Sequence, residues 1–162
     1  MNPIPSGPTE SRAEQLDRSL DEFELKLGLP AGIELEVENE AKRILQIHPE
    51  VLKRMTRSEC GEAAVVLIQF AFHLQRASNR QQSRIRWAEE TVKKIIAPTL
   101  GQQKGYSYEE RRIQAVRQDE AAQKTDDIRV KAQLRMERIN YLSTKAEAMS
   151  KALTALQHSK QN

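Results

Sequence analysis

Arg76, Arg80 and Arg84 follow one another at intervals of four residues, with Trp87 three further on and Arg86 beside it. On a helix, all of these except Arg86 fall near one side within about three turns. Guanidinium groups in such an array meet phosphate oxygens through forked N–H donors, and an indole ring offers a flat face to an unpaired base. Together these are the contacts of single-stranded nucleic-acid binding. A second series, Arg117, Lys124, Lys131, Arg138 and Lys145, recurs at intervals of seven. At 1.5 Å rise per residue it sets a cation about every 10.5 Å along a line that drifts slowly around the helix, with Arg135 and Lys151 beside it. A linear polyanion can follow such a line with a strongly salt-dependent affinity. Both patterns also have a structural reading: basic residues at fixed heptad positions commonly pair with acidic residues across a coiled-coil seam, and a lone tryptophan often serves packing.

No catalytic or metal-binding constellation accompanies these residues. His48, His73 and His158 stand apart from one another and from Cys60, without the spacing that brings metal ligands to one helix face. His73, within an apolar section, reads as a core or interface histidine with a hydrogen-bond partner. Glu89-Glu90, Glu109-Glu110 and Asp126-Asp127 are adjacent pairs that point about 100° apart on a helix, so they read as solvated or salt-bridging faces rather than paired catalytic carboxylates. Gly101 and Gly105 lack the Lys-Ser/Thr of a phosphate loop. The expectation is a protein without catalytic residues, metal or cofactor.

The elements that must position the basic residues are helical. Composition points that way, with aromatics at 4%, charged residues at 30%, and only six Gly and six Pro among 162 residues. Residues 1–8, with three prolines and a glycine, read as disordered. Residues 9–55 read as acidic N-terminal helices. The first is capped by Thr9 or Ser11, carries Leu16, Leu20, Phe23 and Leu27 on one stripe, and ends at Gly28 with Pro30 beyond. The second runs from about 34 to 47 with Leu35, Ala41, Ile44 and Leu45 on its buried side, and a brief turn holds Val51 and Leu52.

Residues 56–160 read as a long antiparallel helical hairpin. Thr56 and Glu59 form a capping box that opens a helix over about 57–97. Its heptad seam is Cys60, Ala64, Leu67, Ala71, Leu74, Ser78, Gln81, Ile85, Ala88, Val92 and Ile95, in which only Ser78 and Gln81 are strongly polar. Polar seam positions of this kind fix register. A connector from Pro98 to Gly105 follows, and Ser107 with Glu110 caps a second helix over about 108–157. Its clean seam is Ile139, Leu142, Ala146, Met149, Leu153 and Leu156, weaker upstream at Ile113, Val116, Ile128 and Ala132. The section 65–72 is apolar on nearly every face, so Leu67, Phe70, Phe72 and Leu74, with Ile139, Leu142, Met149 and Leu153, are the expected interface of a homo-oligomer.

Charge is divided along the chain. Residues 1–62 carry 8 Lys and Arg against 13 Asp and Glu, net −5, while residues 63–162 carry 18 against 10, net +8. The acidic part can attract the basic part and regulate access to it, or the basic part can face an external polyanion. A single cysteine excludes an intramolecular disulfide. No secretion signal is recognisable, and the apolar run at 63–74 is too short for a bilayer. The expected setting is soluble and cytoplasmic, without a membrane partner.

The order of these elements, with a second helix beginning YEERRIQAVRQDEAAQK and ending RMERINYLSTKAEAMSKALTALQHSK, resembles the UvsY family of phage recombination mediators over roughly residues 56–160. That family's basic-aromatic element is matched most nearly by Ser83-Arg84-Ile85-Arg86-Trp87, where Arg84, Arg86 and Trp87 keep the residue types and the Lys-Ala-Arg-Leu run does not occur. The resemblance implies a non-enzymatic, ring-like homo-oligomer that binds single-stranded DNA and helps a RecA-like recombinase replace single-strand binding protein. It would act in the host cytoplasm if phage-encoded. The other functional class that the residues allow is a scaffold or adaptor coiled-coil protein of a phage particle.

Overall fold

A computed structural model describes residues 12–28 and 34–160, so the expected disorder at 1–8 and the Thr9 or Ser11 cap lie outside the described residues. Those residues are all-helical, without a strand. The chain divides into two units, Met1–Ala31 and Gly32–Asn162.

The first unit holds α1, Arg12–Lys26. It stops where expected: Gly28 takes φ +67°, a left-handed conformation that costs a glycine little, and its N–H reaches the Leu25 carbonyl at 3.0 Å. Phe23 and Leu27, from the apolar stripe, are exposed.

The second unit holds α2 (Leu35–Leu45), α3 (Pro49–Arg54), α4 (Arg57–Leu100), α5 (Tyr108–Gln118) and α6 (Glu120–Ser159). Ala41 and Ile44 of α2 are buried as expected, but Leu35, in its first turn, is exposed. The brief turn at Val51 and Leu52 is in fact the helix α3. Pro49 occupies its first turn, where a missing N–H costs nothing, and the His48 ring accepts the Glu50 N–H at 3.3 Å.

The frame is the antiparallel packing of α4 on α6. The Thr56–Glu59 capping box opens α4, with Glu59 N–H donating to Thr56 Oγ1 at 3.2 Å and Thr56 N–H to Glu59 Oε2 at 2.6 Å. At 44 residues α4 is about 66 Å long. It runs through Pro98 to Leu100, three residues past the expected end. A proline in the final turn removes one hydrogen bond, so the helix tolerates it there. The connector therefore begins at Gly101, and the Ser107–Glu110 capping box closes it.

The second helix of the hairpin is two helices. At Asp119 the backbone turns extended (φ −119°, ψ 115°), ending α5 and opening α6, and the Asp119 carboxylate accepts the Ala122 N–H at 2.8 Å. Gln123 Nε2 donates back to the Arg117 carbonyl at 2.6 Å. The break lets α5 fold over the end of α4, where Val92, Ile96, Ala115 and Ala122 form a small core with Ile95, Leu100 and Val116.

The seam of α4 is buried where expected, except that Gln81 and Ile95 are half-buried and Ile96 takes the final core position. A straight helix drifts against a strict seven-residue repeat, and the seam moves over by one residue at its far end. On α6 the departure is larger. Ala146 and Leu153 are buried, but Leu142 is exposed, and Ser143 and Ser150 occupy the seam. The facing side of α4 there is Ala64 and Ala71, and small residues on both helices bring the backbones close. Ser150 Oγ reaches across to the Ala64 carbonyl at 2.9 Å, Ser143 Oγ approaches the Ala71 carbonyl at 3.5 Å, and Ser78 Oγ donates to Asn140 Oδ1 at 2.6 Å. Ala64, Ala71 and Ser78 are seven residues apart, so these contacts form a ladder that sets the register of the hairpin.

Candidate nucleic-acid interface

The residues expected to meet DNA fall on two surfaces at one level of the hairpin. Because Ser78 meets Asn140, the arginine section of α4 lies beside the middle of α6. At about 100° per residue, Arg76, Arg80, Arg84 and Trp87 are on the side of α4 turned away from Ser78 and Ile85, which face α6. All four are half-buried, while Arg86 is exposed. Arg76, Arg80 and Arg84 each already interact within the chain; for Arg84 one such contact is Nη1 donating to Gln81 Oε1 at 3.3 Å.

Lys124, Lys131, Arg138 and Lys145 share a flank of α6, each about 100° around from the seam residue that follows it, Thr125, Ala132, Ile139 and Ala146, and all four are exposed, as are Arg135 and Lys151. Lys124 pairs with Glu120 at 2.5 Å one turn earlier, a solvated contact of small weight. Arg117 is exposed but belongs to α5, so the break at Asp119 takes it off the line. The line thus has four members on one rigid helix rather than five.

The expected oligomer interface divides. Leu67, Phe70, Leu74 and Leu153 are buried in the chain's own core, where Ala41 and Ile44 of α2 and the partly buried Leu52 and Met55 cover what the hairpin leaves open. These four have no surface to offer a second copy. Ile139 and Met149 are half-buried against the same core. Phe72 and Leu142 are exposed, and Val65 and Ile68 extend the apolar strip at Phe72 along α4.

Two features escaped the sequence pattern. One is an ion-pair cluster where α5 returns on α6: Asp126 receives Arg129 Nε at 2.7 Å and Nη2 at 3.3 Å, and Arg112 Nη2 at 3.1 Å, while Arg112 also reaches Glu109 at 3.1 Å. The hydrogen bond from Arg129, then the charges of Arg129 and Arg112, hold the Asp126 carboxyl below its ordinary range against partial desolvation. The i,i+3 spacing of Asp126 and Arg129 was legible; the meeting with Arg112 depends on the break at Asp119. The other feature is an apolar strip on α6 opposite the seam, Val130, Leu134 and Tyr141, whose spacings of four and seven were the available signal.

Among the described residues no three His, Cys, Asp or Glu side chains come together as a metal site, and no helix is long and apolar enough to cross a membrane. His73 is half-buried, and Cys60 is a buried free thiol. No protein-family model, curated protein or solved structure matches the chain.

Proposed function

We propose that this protein is a non-enzymatic single-stranded DNA-binding recombination mediator that works in the cytoplasm as a homo-oligomer. The observation that carries the reading is the line of four exposed cations, Lys124, Lys131, Arg138 and Lys145, on one continuous helix whose seam is clamped to α4. A rigid row of cations engages successive phosphates with little ordering cost, and counterion release supplies the affinity. Arg86 and the half-buried Trp87 add a cation and a partly accessible indole on α4. The resemblance to UvsY-like mediators supplies the rest: the oligomer holds DNA extended while a RecA-like recombinase replaces single-strand binding protein.

Fluorescence anisotropy of a labelled single-stranded oligonucleotide across a salt series tests the binding. Binding that is tight at low ionic strength, falls steeply with salt and weakens in Lys124→Ala/Lys131→Ala is expected. An absence of binding at low ionic strength sinks the proposal. The mediator step is read from the DNA-dependent ATPase of a RecA-like recombinase on strands coated with single-strand binding protein, where this protein should shorten the lag.

A scaffold or adaptor role in a phage particle is the second reading, and a specific observation favours it: Arg76, Arg80 and Arg84 are half-buried and engaged within the chain. In that role the exposed strip at Phe72 seats a neighbouring structural protein. It predicts assembly without nucleic acid and no salt-dependent binding to the oligonucleotide.

A further inference from the structure

The junction of α5 and α6 interrupts a helix that its own sequence can continue. Neither glycine nor proline occurs between Tyr108 and Ser159, and two spacings of seven cross the break at Asp119: Ala115 to Ala122, and Arg117 to Lys124. Both alanines are buried at the end of α4. Residues seven apart share a face of a continuous helix. Straightening the junction therefore leaves the two alanines on the side of α4 and sets Arg117 about 10.5 Å from Lys124, on the flank of the cation line.

Few contacts hold the bend, and most are replaceable. Asp119 caps the Ala122 N–H, and Gln123 Nε2 meets the Arg117 carbonyl; a continuous helix satisfies both backbone groups with ordinary intrahelical bonds. Arg112 reaches Asp126 at 3.1 Å, a pair that a straight helix separates by about 21 Å. Asp126 then keeps Arg129, one turn on, so no charge is orphaned. Straightening uncovers Val116 and part of the small core around it. Against that, Arg111 Nε on α5 is buried without a hydrogen-bond partner in the bent state, and a swung-out α5 returns that donor to water. The chain also reaches: the register of Ser78 on Asn140 places residue 108 of a continuous helix about 16 Å from Leu100, and the connector 101–107 spans about 25 Å when extended.

We infer that the α5–α6 junction is a two-state hinge, bent in the free chain and continuous when single-stranded DNA lies along α6, and that Arg117 is the fifth cation of the line in the continuous state. The recruitment of Arg117 rests on the function proposed above; the hinge itself does not. A strand that meets Arg117 only in the continuous state binds that state more tightly, and this differential contact is what shifts the equilibrium. The clamp of α6 on α4 through Ser143 and Ser150 lies far from the break, so the rest of the line stays in place while α5 moves.

Double electron–electron resonance on the full chain, spin-labelled through Tyr108→Cys and Gln133→Cys, tests both parts; both positions are exposed, and the native thiol of Cys60 is buried. In the bent state Tyr108 shares a groove with Arg129, one turn from Gln133, so the labels stand within about 20 Å; a continuous helix sets them about 38 Å apart. Adding Asp119→Ala and Arg112→Ala, which remove the cap and the cross-junction pair, should move the population toward the long distance without nucleic acid, with the amides of 108–118 still protected from exchange. A short distance retained in that chain, or a long one with those amides unprotected as in a melted helix, overturns the hinge. A single-stranded oligonucleotide added to the labelled chain without those two changes should lengthen the distance likewise. Arg117→Ala should then weaken binding about fivefold at 0.1 M salt and remove the increment of about 0.7 that Arg117 adds to the salt slope of the four α6 cations. Binding that leaves the distance short and is indifferent to Arg117→Ala overturns the inference. An absence of binding at low ionic strength overturns the recruitment of Arg117 together with the function proposed above, while the distance in the Asp119→Ala/Arg112→Ala chain still decides the hinge.

Discussion

Replacing Ser150 with leucine tests the close approach of α4 and α6 directly. Ser150 is 8% exposed, and its hydroxyl donates to the Ala64 carbonyl on the facing helix at 2.9 Å. A side-chain oxygen attached to Cβ spans that gap only when the two backbones lie unusually near each other, so the site has no room for three more carbons. Two costs follow. The lost cross-helix hydrogen bond is worth about 1 kcal/mol; the Ala64 carbonyl keeps its bond within α4, so no buried acceptor is orphaned. Forcing a larger side chain into a filled seam adds about 1–3 kcal/mol. The sum, about 2–4 kcal/mol, lowers the melting temperature by roughly 5–15 °C for a chain of this size. Thermal melts followed at 222 nm measure it, with Ser150→Ala as the variant that isolates the hydrogen bond and loses only about 1 kcal/mol. Ala152→Leu, at an exposed position two residues away, should melt close to wild type. A Ser150→Leu chain that melts with wild type refutes the small-residue seam.

The Asp126 carboxyl is held below its ordinary range in the fold by Arg129 and Arg112, so its contribution is complete above the unfolded carboxyl range near pH 4 and is lost as pH falls through the lowered value. Asp126→Asn should therefore cost about 1 kcal/mol at pH 7 and progressively less as pH falls below about 4, read from urea midpoints at pH 7 and across a series of acidic pH values. Asp119→Ala removes the cap on the Ala122 N–H and should cost about 1 kcal/mol, with faster amide hydrogen exchange confined to the α5–α6 junction. If all four cations of the α6 line engage phosphates, the slope of log K against log salt should be about −2.8, and Lys124→Ala/Lys131→Ala should reduce its magnitude by about 1.4. An unchanged slope in that variant would place the DNA on another surface.

Helix starts and the seam of α4 were legible because their signals are local. A capping box needs only Thr56 and Glu59, or Ser107 and Glu110, three residues apart, and a repeat of four and three needs only the chain's own pitch. The break at Asp119 was harder to see. Aspartate is an ordinary N-cap residue, but without glycine or proline nearby the continuous helix was an equal solution until α5 could bury Ala115 and Val116 against Val92 and Ile96. Half of the expected oligomer interface is covered within the chain for a related reason. Hydrophobicity at Leu67, Phe70, Leu74 and Leu153 declares that these residues must be covered, and it does not say by what; α2 and α6 of the same chain do it.

The amino-acid sequence alone determined that this protein is helical, where α4 begins, where the connector is capped, and that cations recur every seven residues, since each follows from backbone hydrogen bonding and helix pitch within a few turns. Tertiary structure decided which of those cations share a rigid surface, and that Ser143 and Ser150 rather than Leu142 fill the seam. Hydrophobicity favours leucine at such a position, but the distance between two backbones is set by both helices at once, and beside Ala64 and Ala71 only a small side chain fits.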